Sequence, residues 1–324
     1  NGTELWKSDG TEVGTVLVKD IRTGINSSSP NYLTNVNGTL FFRAYDADNG
    51  TELWKSDGTE AGTVLVKDIR TGINSSSPNY FTNVNGTLFF VANDGLNGTE
   101  LWKSDGTEVG TVQVKNILSG SGSSSPAYLT NVNGTLFFRA NDGVNGYELW
   151  KTNGTEAGTV LVKDIRTGIN SSSPSNLINV NGTLFFQAND GSNGGELWQS
   201  DGTEAGTVLV KDIRTGPNSS SLSYLTNVNG TLFFRAYDDN NGTELWKTDG
   251  TEVGTILVKD IRTGISSSSP NYLTNVNGTL FFQANDGSNG TELWQSDGTP
   301  AGTFSLMDIL PGTAGSSPLY LTEM

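Results

Sequence analysis

The chain has 324 residues, no cysteine, no histidine and a formal net charge of −15. Without cysteine there is neither a disulfide framework nor a thiolate metal site, and without histidine the commonest general base and the usual imidazole ligand are missing. The acidic balance repels phosphate backbones and anionic lipid, so nucleic acid and membrane insertion are poor expectations, and no apolar run approaches the ~20 residues of a membrane helix.

Glu-Leu-Trp recurs with its tryptophan at Trp6, Trp54, Trp102, Trp150, Trp198, Trp246 and Trp294, every 48 residues and without insertion. A fixed period of this length decides the fold before any local signal does. In the first complete unit, Asn31–Val36 reads as a short strand. Asn37-Gly38 then reads as a type I′ hairpin turn, which needs positive φ at both positions. Thr39–Ala44 is the second strand, and its Leu-Phe-Phe is apolar on both faces. Residues 45–51 form a polar loop, Glu52–Ser56 a third strand, and "DGTEAGT" a tight connection. Val64–Ile69 is a fourth strand, and "RTGINSSSP" a longer link to the next unit. Nothing shows a helical period.

Four short antiparallel strands per 40–50 residues predict a seven-bladed β-propeller, all-β, with 1–324 as one domain and units starting near 1, 49, 97, 145, 193, 241 and 289. A β-solenoid is the rival, but its coils are usually shorter and its caps differ from its middle repeats. Trp54 and its equivalents are expected in the core between blades. The second-strand sequence starts at Thr39, Thr87, Thr135, Thr183, Thr231 and Thr279, six times, whereas the other three strand types occur seven times. Seven repeats of 48 residues would exceed the chain by twelve. The expectation is a ring closed by strands from both termini, "PLYLTEM" inside and the N-terminal pair outside, with one blade short of a strand. The chain starts without Met and shows no signal peptide, as expected of a processed product or fragment.

"ELWKSDGT" (Glu4–Thr11), followed by "GTVLVKDI" (Gly14–Ile21), closely resembles the bacterial ELWxxDGT repeat over essentially the whole chain. Asn153 replaces the aspartate in the fourth unit. The resemblance implies large secreted or surface-associated bacterial proteins, hence an extracellular or cell-surface setting. It implies no chemistry. The "SDGTEVGT" turn also resembles the Asp-box of sialidase-type propellers but lacks its closing aromatic, a likeness ascribed to shared turn physics.

Three groups of residues invite a functional reading. In the "SDGTE" turn, Asp9 is a candidate ligand, but an Asx-turn with Gly10 at positive φ explains it equally. Asp46, Asp94, Asp142, Asp190, Asp238 and Asp286 sit in acidic loops whose oxygens suit Ca²⁺, although no fixed bidentate glutamate closes them; Glu52 would either do so or cap a strand pair. Arg22, Arg70, Arg166, Arg214 and Arg262 enter the "TGINSSSP" link, with Leu118 and Leu310 in the other two units. With Ser and Asn they form a candidate ring for carboxylates or sugars, set against surface pairing with a nearby Asp. The Asn-x-Ser/Thr triplets match the glycosylation pattern, but Asn37-Gly38 already has a hairpin reason to exist.

Near-identical blades offer many copies of one environment and no singular constellation for catalysis. The expectation is therefore a non-enzymatic interaction module without cofactor. Its expected partners are glycans or other surface proteins, engaged multivalently. A monomeric ring is expected, with oligomers conceivable through the open blade. A structural scaffold is the alternative, and a carboxylate-pair glycosidase the remote one.

Overall fold

The computed structural model describes residues 2–319 and 321. Among these residues there are 26 strands, β1 to β26 in chain order, and no helix. No element is therefore a helix long and apolar enough to cross a membrane. The strands form six four-stranded antiparallel sheets and one two-stranded sheet, one per repeat. The fold is a seven-bladed β-propeller, with strands in sequential order within every blade.

The first complete blade shows how the sequence produces the sheet. It consists of β3 (Asn31–Val36), β4 (Thr39–Asp46), β5 (Gly50–Ser56) and β6 (Val64–Lys67). Asn37 and Gly38 have φ of 51° and 85°, so the β3–β4 turn has the two left-handed residues that its sequence demanded. β4 and β5 extend further than the apolar run predicts. Asp46 pairs with Gly50, because the Asp46 side chain closes the loop by accepting from the backbone N–H groups of Asp48 and Asn49 at 2.9 and 2.8 Å. β6 stops two residues early. The N–H of Ile69 leaves the ladder to bond the Glu52 carboxylate at 3.1 Å.

The chain divides into two compact units, residues 1–161 and 162–324. Within 1–161, the blades stack through side chains that alternate along each strand. One face of the β3–β6 blade offers Val36, Phe41, Leu53, Val66 and Ile69, which pack on Leu88, Phe90, Ala92 and Trp102 of the next. Leu40, Phe42 and Ala44 of β4 point the other way, and Phe42, Ala44 and Trp54 meet Leu5 and Val18. This two-faced burial is why the middle strands are apolar throughout. Lysines latch neighbouring blades: Lys55 Nζ donates to the Gly106 carbonyl at 2.9 Å and Lys67 Nζ to the Thr111 carbonyl at 2.9 Å. Within 162–324 the same rule holds: Val180, Phe185, Leu197, Val210 and Ile213 pack on Leu232, Phe234, Ala236 and Trp246.

Six of the seven tryptophans are 6–7% exposed, as expected of core residues, but Trp6 is 53% exposed. Trp6 belongs to β1 (Leu5–Lys7), which pairs only with β2 (Val16–Lys19). The expected inner strand in "PLYLTEM" falls on Tyr320 and residues 322–324, which lie outside the described residues.

Candidate functional site

Each blade has two ends. At one end the β3–β4 hairpin turn sits with the "SDGT" turn. At the other the acidic loop between the second and third strands sits with the "TGINSSSP" link.

The "SDGT" turn is a closed hydrogen-bond circuit. Asp9 Oδ1 accepts from the Thr11 N–H at 2.9 Å and its hydroxyl at 2.7 Å. The Thr11 hydroxyl in turn accepts from the Gly14 N–H at 2.9 Å. The Thr11 hydroxyl and N–H hold the Asp9 carboxyl below the usual range. Asn153 makes the same two contacts at 3.0 and 2.7 Å, so the circuit needs an oxygen acceptor and no charge. A Cβ on Gly14 would sit 1.9 Å from Asp9 Oδ1, which explains the glycine. Beside these turns lie small polar crevices of about 150 Å³, two of them lined by Asn37, Phe41, Lys55 and Asp105 and by Asn229, Phe233, Lys247 and Asp297. A crevice of this size holds only a few waters.

At the other end stands a glutamate whose sequence fits either of two roles, closing a cation loop or capping a strand pair. Glu52 is fully buried. It accepts from the N–H of Ile69 at 3.1 Å, the N–H of Ser76 at 2.7 Å and the Ser76 hydroxyl. It thereby ties the third strand to both ends of the link to the next blade. Glu4, Glu100, Glu244 and Glu292 make the same three bonds. Burial pushes the carboxyls of Glu52, Glu196 and Glu244 up to about 7, against the pull of their hydrogen bonds, and raises Glu100 as well.

The six loop aspartates are likewise engaged. Asp94 accepts from the N–H groups of Leu96 and Asn97 at 2.8 and 2.7 Å, and from the Asn97 side chain at 2.7 Å. Burial opposes its ionisation, but the N–H groups of Asn97 and Leu96 outweigh it and hold Asp94 below the usual range. Asp142, Asp190 and Asp286 follow the same pattern. Asp46 and Asp238 each accept from two backbone N–H groups and one asparagine side chain. With these oxygens already occupied, chelation by EDTA is expected to leave the melting temperature unchanged; a clear drop would make the six aspartates metal ligands.

The arginines lean across the acidic loop of the following blade. The guanidinium of Arg22 lies 4.8 Å from the Tyr45 ring centroid and that of Arg214 4.6 Å from Tyr237. Arg214 also pairs with Asp239 at 3.0 Å. Arg70, Arg166 and Arg262 lie against Gly95, Gly191 and Gly287, whose Cβ positions would be 3.0 to 3.2 Å from the arginine Nε. All five are half-buried. Around Arg70 a cleft of about 570 Å³ opens, lined also by Lys67, Asp68, Asn74, Asp94 and Trp102. This cleft brings one member of the arginine set together with one of the aspartate set.

Sequence reasoning missed the tyrosines of the first strands. Tyr32, Tyr80, Tyr128, Tyr224 and Tyr272 all have φ near +55°, a rare conformation for a bulky residue. Arg43, Arg139 and Arg235 lie over Tyr32, Tyr128 and Tyr224 at 4.8, 5.0 and 5.8 Å. The bulge that flips each tyrosine is visible only as a register shift, as between Asn31 and Thr34.

No family model matches the chain, and no curated protein matches it. Solved structures do. A prolyl endopeptidase, from a study of two such enzymes, aligns with a TM-score of 0.50 at 14% identity over 86% of this chain and 43% of its own. The β-propeller domain of the trilobed protease from Pyrococcus furiosus aligns with a TM-score of 0.42 at 11% identity, over 87% of this chain and 85% of its own. A puromycin hydrolase aligns with a TM-score of 0.43 at 12% identity, over 92% and 49%. The chain spans under half the length of the endopeptidase and hydrolase chains. At such identity the likeness concerns the fold alone.

Proposed function

We propose that this propeller is a non-enzymatic interaction module of the extracellular or cell-surface kind, belonging with the ELWxxDGT repeats it resembles. We infer that it binds carboxylate-bearing glycans through its arginine clefts. The observation that supports this reading is the cleft of about 570 Å³ around the half-buried Arg70, lined also by Thr71, Asn74 and Asp94. An arginine fork matches a carboxylate in geometry, and the amide of Asn74 and hydroxyl of Thr71 beside it suit sugar hydroxyls. The arginine recurs at the equivalent position as Arg22, Arg166, Arg214 and Arg262. Weak sites gain strength together on a surface that displays many ligands.

The carboxylates favour binding over catalysis. Glu52, Glu100, Glu196 and Glu244, whose proton affinity is raised, each spend their oxygens on two backbone N–H groups of the link to the next blade. Seven similar environments offer no singular acid–base pair.

The test is a glycan array probed with the whole chain and with a variant in which Arg22, Arg70, Arg166, Arg214 and Arg262 are all alanine. The native chain is expected to bind uronate- or sialate-type glycans, and the variant to lose that binding while melting as before. Silence of the native chain across the array would instead favour a structural scaffold.

A further inference from the structure

The five arginines face acidic loops of two kinds. Opposite Arg70, Arg166 and Arg262 the second strand stops at Asn93, Asn189 and Asn285. Each asparagine side chain accepts from the backbone N–H of the glycine two residues on, Gly95, Gly191 and Gly287, at 2.7 Å. Those glycines have φ of 80°, 89° and 87°, which any other residue would adopt only with strain. The missing Cβ also lets the arginine settle on the loop backbone, since a Cβ would stand 3.0, 3.2 and 3.0 Å from its Nε. Among the described residues none of these three arginines has a hydrogen-bond or ion-pair partner.

Opposite Arg22 and Arg214 the second strand runs one residue further, to Asp46 and Asp238, which pair with Gly50 and Gly242. Tyr45 and Tyr237 stand where the other loops have asparagine, and their ring centroids lie 4.8 and 4.6 Å from the guanidinium carbons. Ala47 and Asp239 take the glycine's place, and Asp239 holds Arg214 Nε at 3.0 Å. One face of each of these two guanidinium groups is therefore engaged by a ring, and Arg214 has one N–H donor fewer to offer. The loop sets its own kind without help from the arginine. Asn141 and Gly143 make the first kind of turn, with the same 2.7 Å bond and φ of 80°, although the side chain against Gly143 is that of Leu118.

We propose that the loops sort the arginines into two classes of carboxylate site, with Arg70, Arg166 and Arg262 the strong class and Arg22 and Arg214 the weak one. The specificity-determining positions are the first and third of the loop. Asn and Gly there leave the guanidinium fork unengaged, ready to give a carboxylate two parallel N–H bonds. Tyr with Ala or Asp makes the incoming carboxylate disturb a stacked ring or displace Asp239. Resting on the carboxylate reading above, the sorting makes three strong receptors and two weak ones of five arginines that the repeat alone would make alike.

The test follows the arginine Nε–H resonances of the isotope-labelled whole chain during titration with the methyl glycosides of glucuronic acid and of sialic acid. Single arginine-to-lysine variants assign each resonance. With whichever sugar binds, Arg70, Arg166 and Arg262 are expected to respond first and with one midpoint. Arg22 and Arg214 are expected to respond at about tenfold higher concentration, the scale of a stacked ring or an ion pair expressed as affinity. In the double variant Tyr237→Asn/Asp239→Gly the loop becomes one of the first kind, and Arg214 is expected to join the early group. The native titration decides the sorting whether or not that variant folds. Five responses at one midpoint, or the reverse order, would overturn the sorting and leave the carboxylate reading intact. An Arg214 that stays late in the folded double variant would overturn the loop as the cause. No response of any of the five to either sugar would overturn both.

Discussion

Replacing Trp150 by alanine is expected to lower stability by about 3–5 kcal/mol. The indole packs among Val84, Phe89, Leu101, Val114, Ile117 and the second-strand residues Leu136, Phe138 and Ala140 of its own blade. Its Nε1 has no hydrogen-bond partner, so the loss is one of packing and leaves no severed bond behind. Blade faces built of strands cannot close readily over a hole of indole size, which places the cost toward the upper end for an aromatic truncation. The lysine latch loosens with it, because Lys115 Nζ lies 6.0 Å from the Trp150 centroid. Trp6→Ala is the internal comparison. With half of its surface in water, its loss is expected to cost about 1 kcal/mol or less. Urea denaturation of both variants checks the contrast, and equal costs would mean that the tryptophan series does not form the seam between blades.

The second large effect concerns pH. Glu52, Glu196 and Glu244 are pushed up to about 7 by burial, from an ordinary value of 4.5. Asp68 and Asp212, the charged groups that face Glu52 and Glu196, add to the rise. Between these two values the folded state holds protons that the unfolded state has released. The stabilisation is therefore complete below pH 4.5 and is lost as pH rises through about 7. Each group contributes on the order of 2 kcal/mol, and relief of the net charge of −15 acts in the same direction. The circuit aspartates oppose this only in stronger acid. Asp57, Asp105 and Asp249 are held low mainly by Thr59, Thr107 and Thr251, so what they contribute is lost as pH falls below 3.8. Thermal melts should therefore show a maximum near pH 5 and a lower melting temperature at pH 8. Glu244→Gln should flatten part of that slope. A melting temperature that rises steadily from pH 5 to pH 8 would contradict the reading.

The repeat period, the Asn-Gly turns and the doubly apolar second strand were enough to place the strands and the seam of the blades, because each is a local consequence of backbone or burial physics. The role of Glu52 was not legible in the same way. Its partners Ile69 and Ser76 lie 17 and 24 residues away, and no local pattern distinguishes a buried capping carboxylate from a solvated one. Asp46 shows the converse: a carboxylate with the composition of a cation ligand is largely engaged by the amides of its own loop. The tyrosines at positive φ follow from a bulge that no residue type announces. Trp6 departs from its equivalents although its local sequence matches theirs; among the described residues its strand pairs only with β2.

The most direct measurement of the central claim is the stoichiometry of binding, by calorimetric titration of the native chain with a soluble monovalent form of whichever acidic glycan the array selects. Five arginine-bearing repeats, at Arg22, Arg70, Arg166, Arg214 and Arg262, predict close to five sites per chain. They also predict one site fewer for each arginine replaced by alanine. A single site, or a stoichiometry that ignores the arginines, would contradict the account.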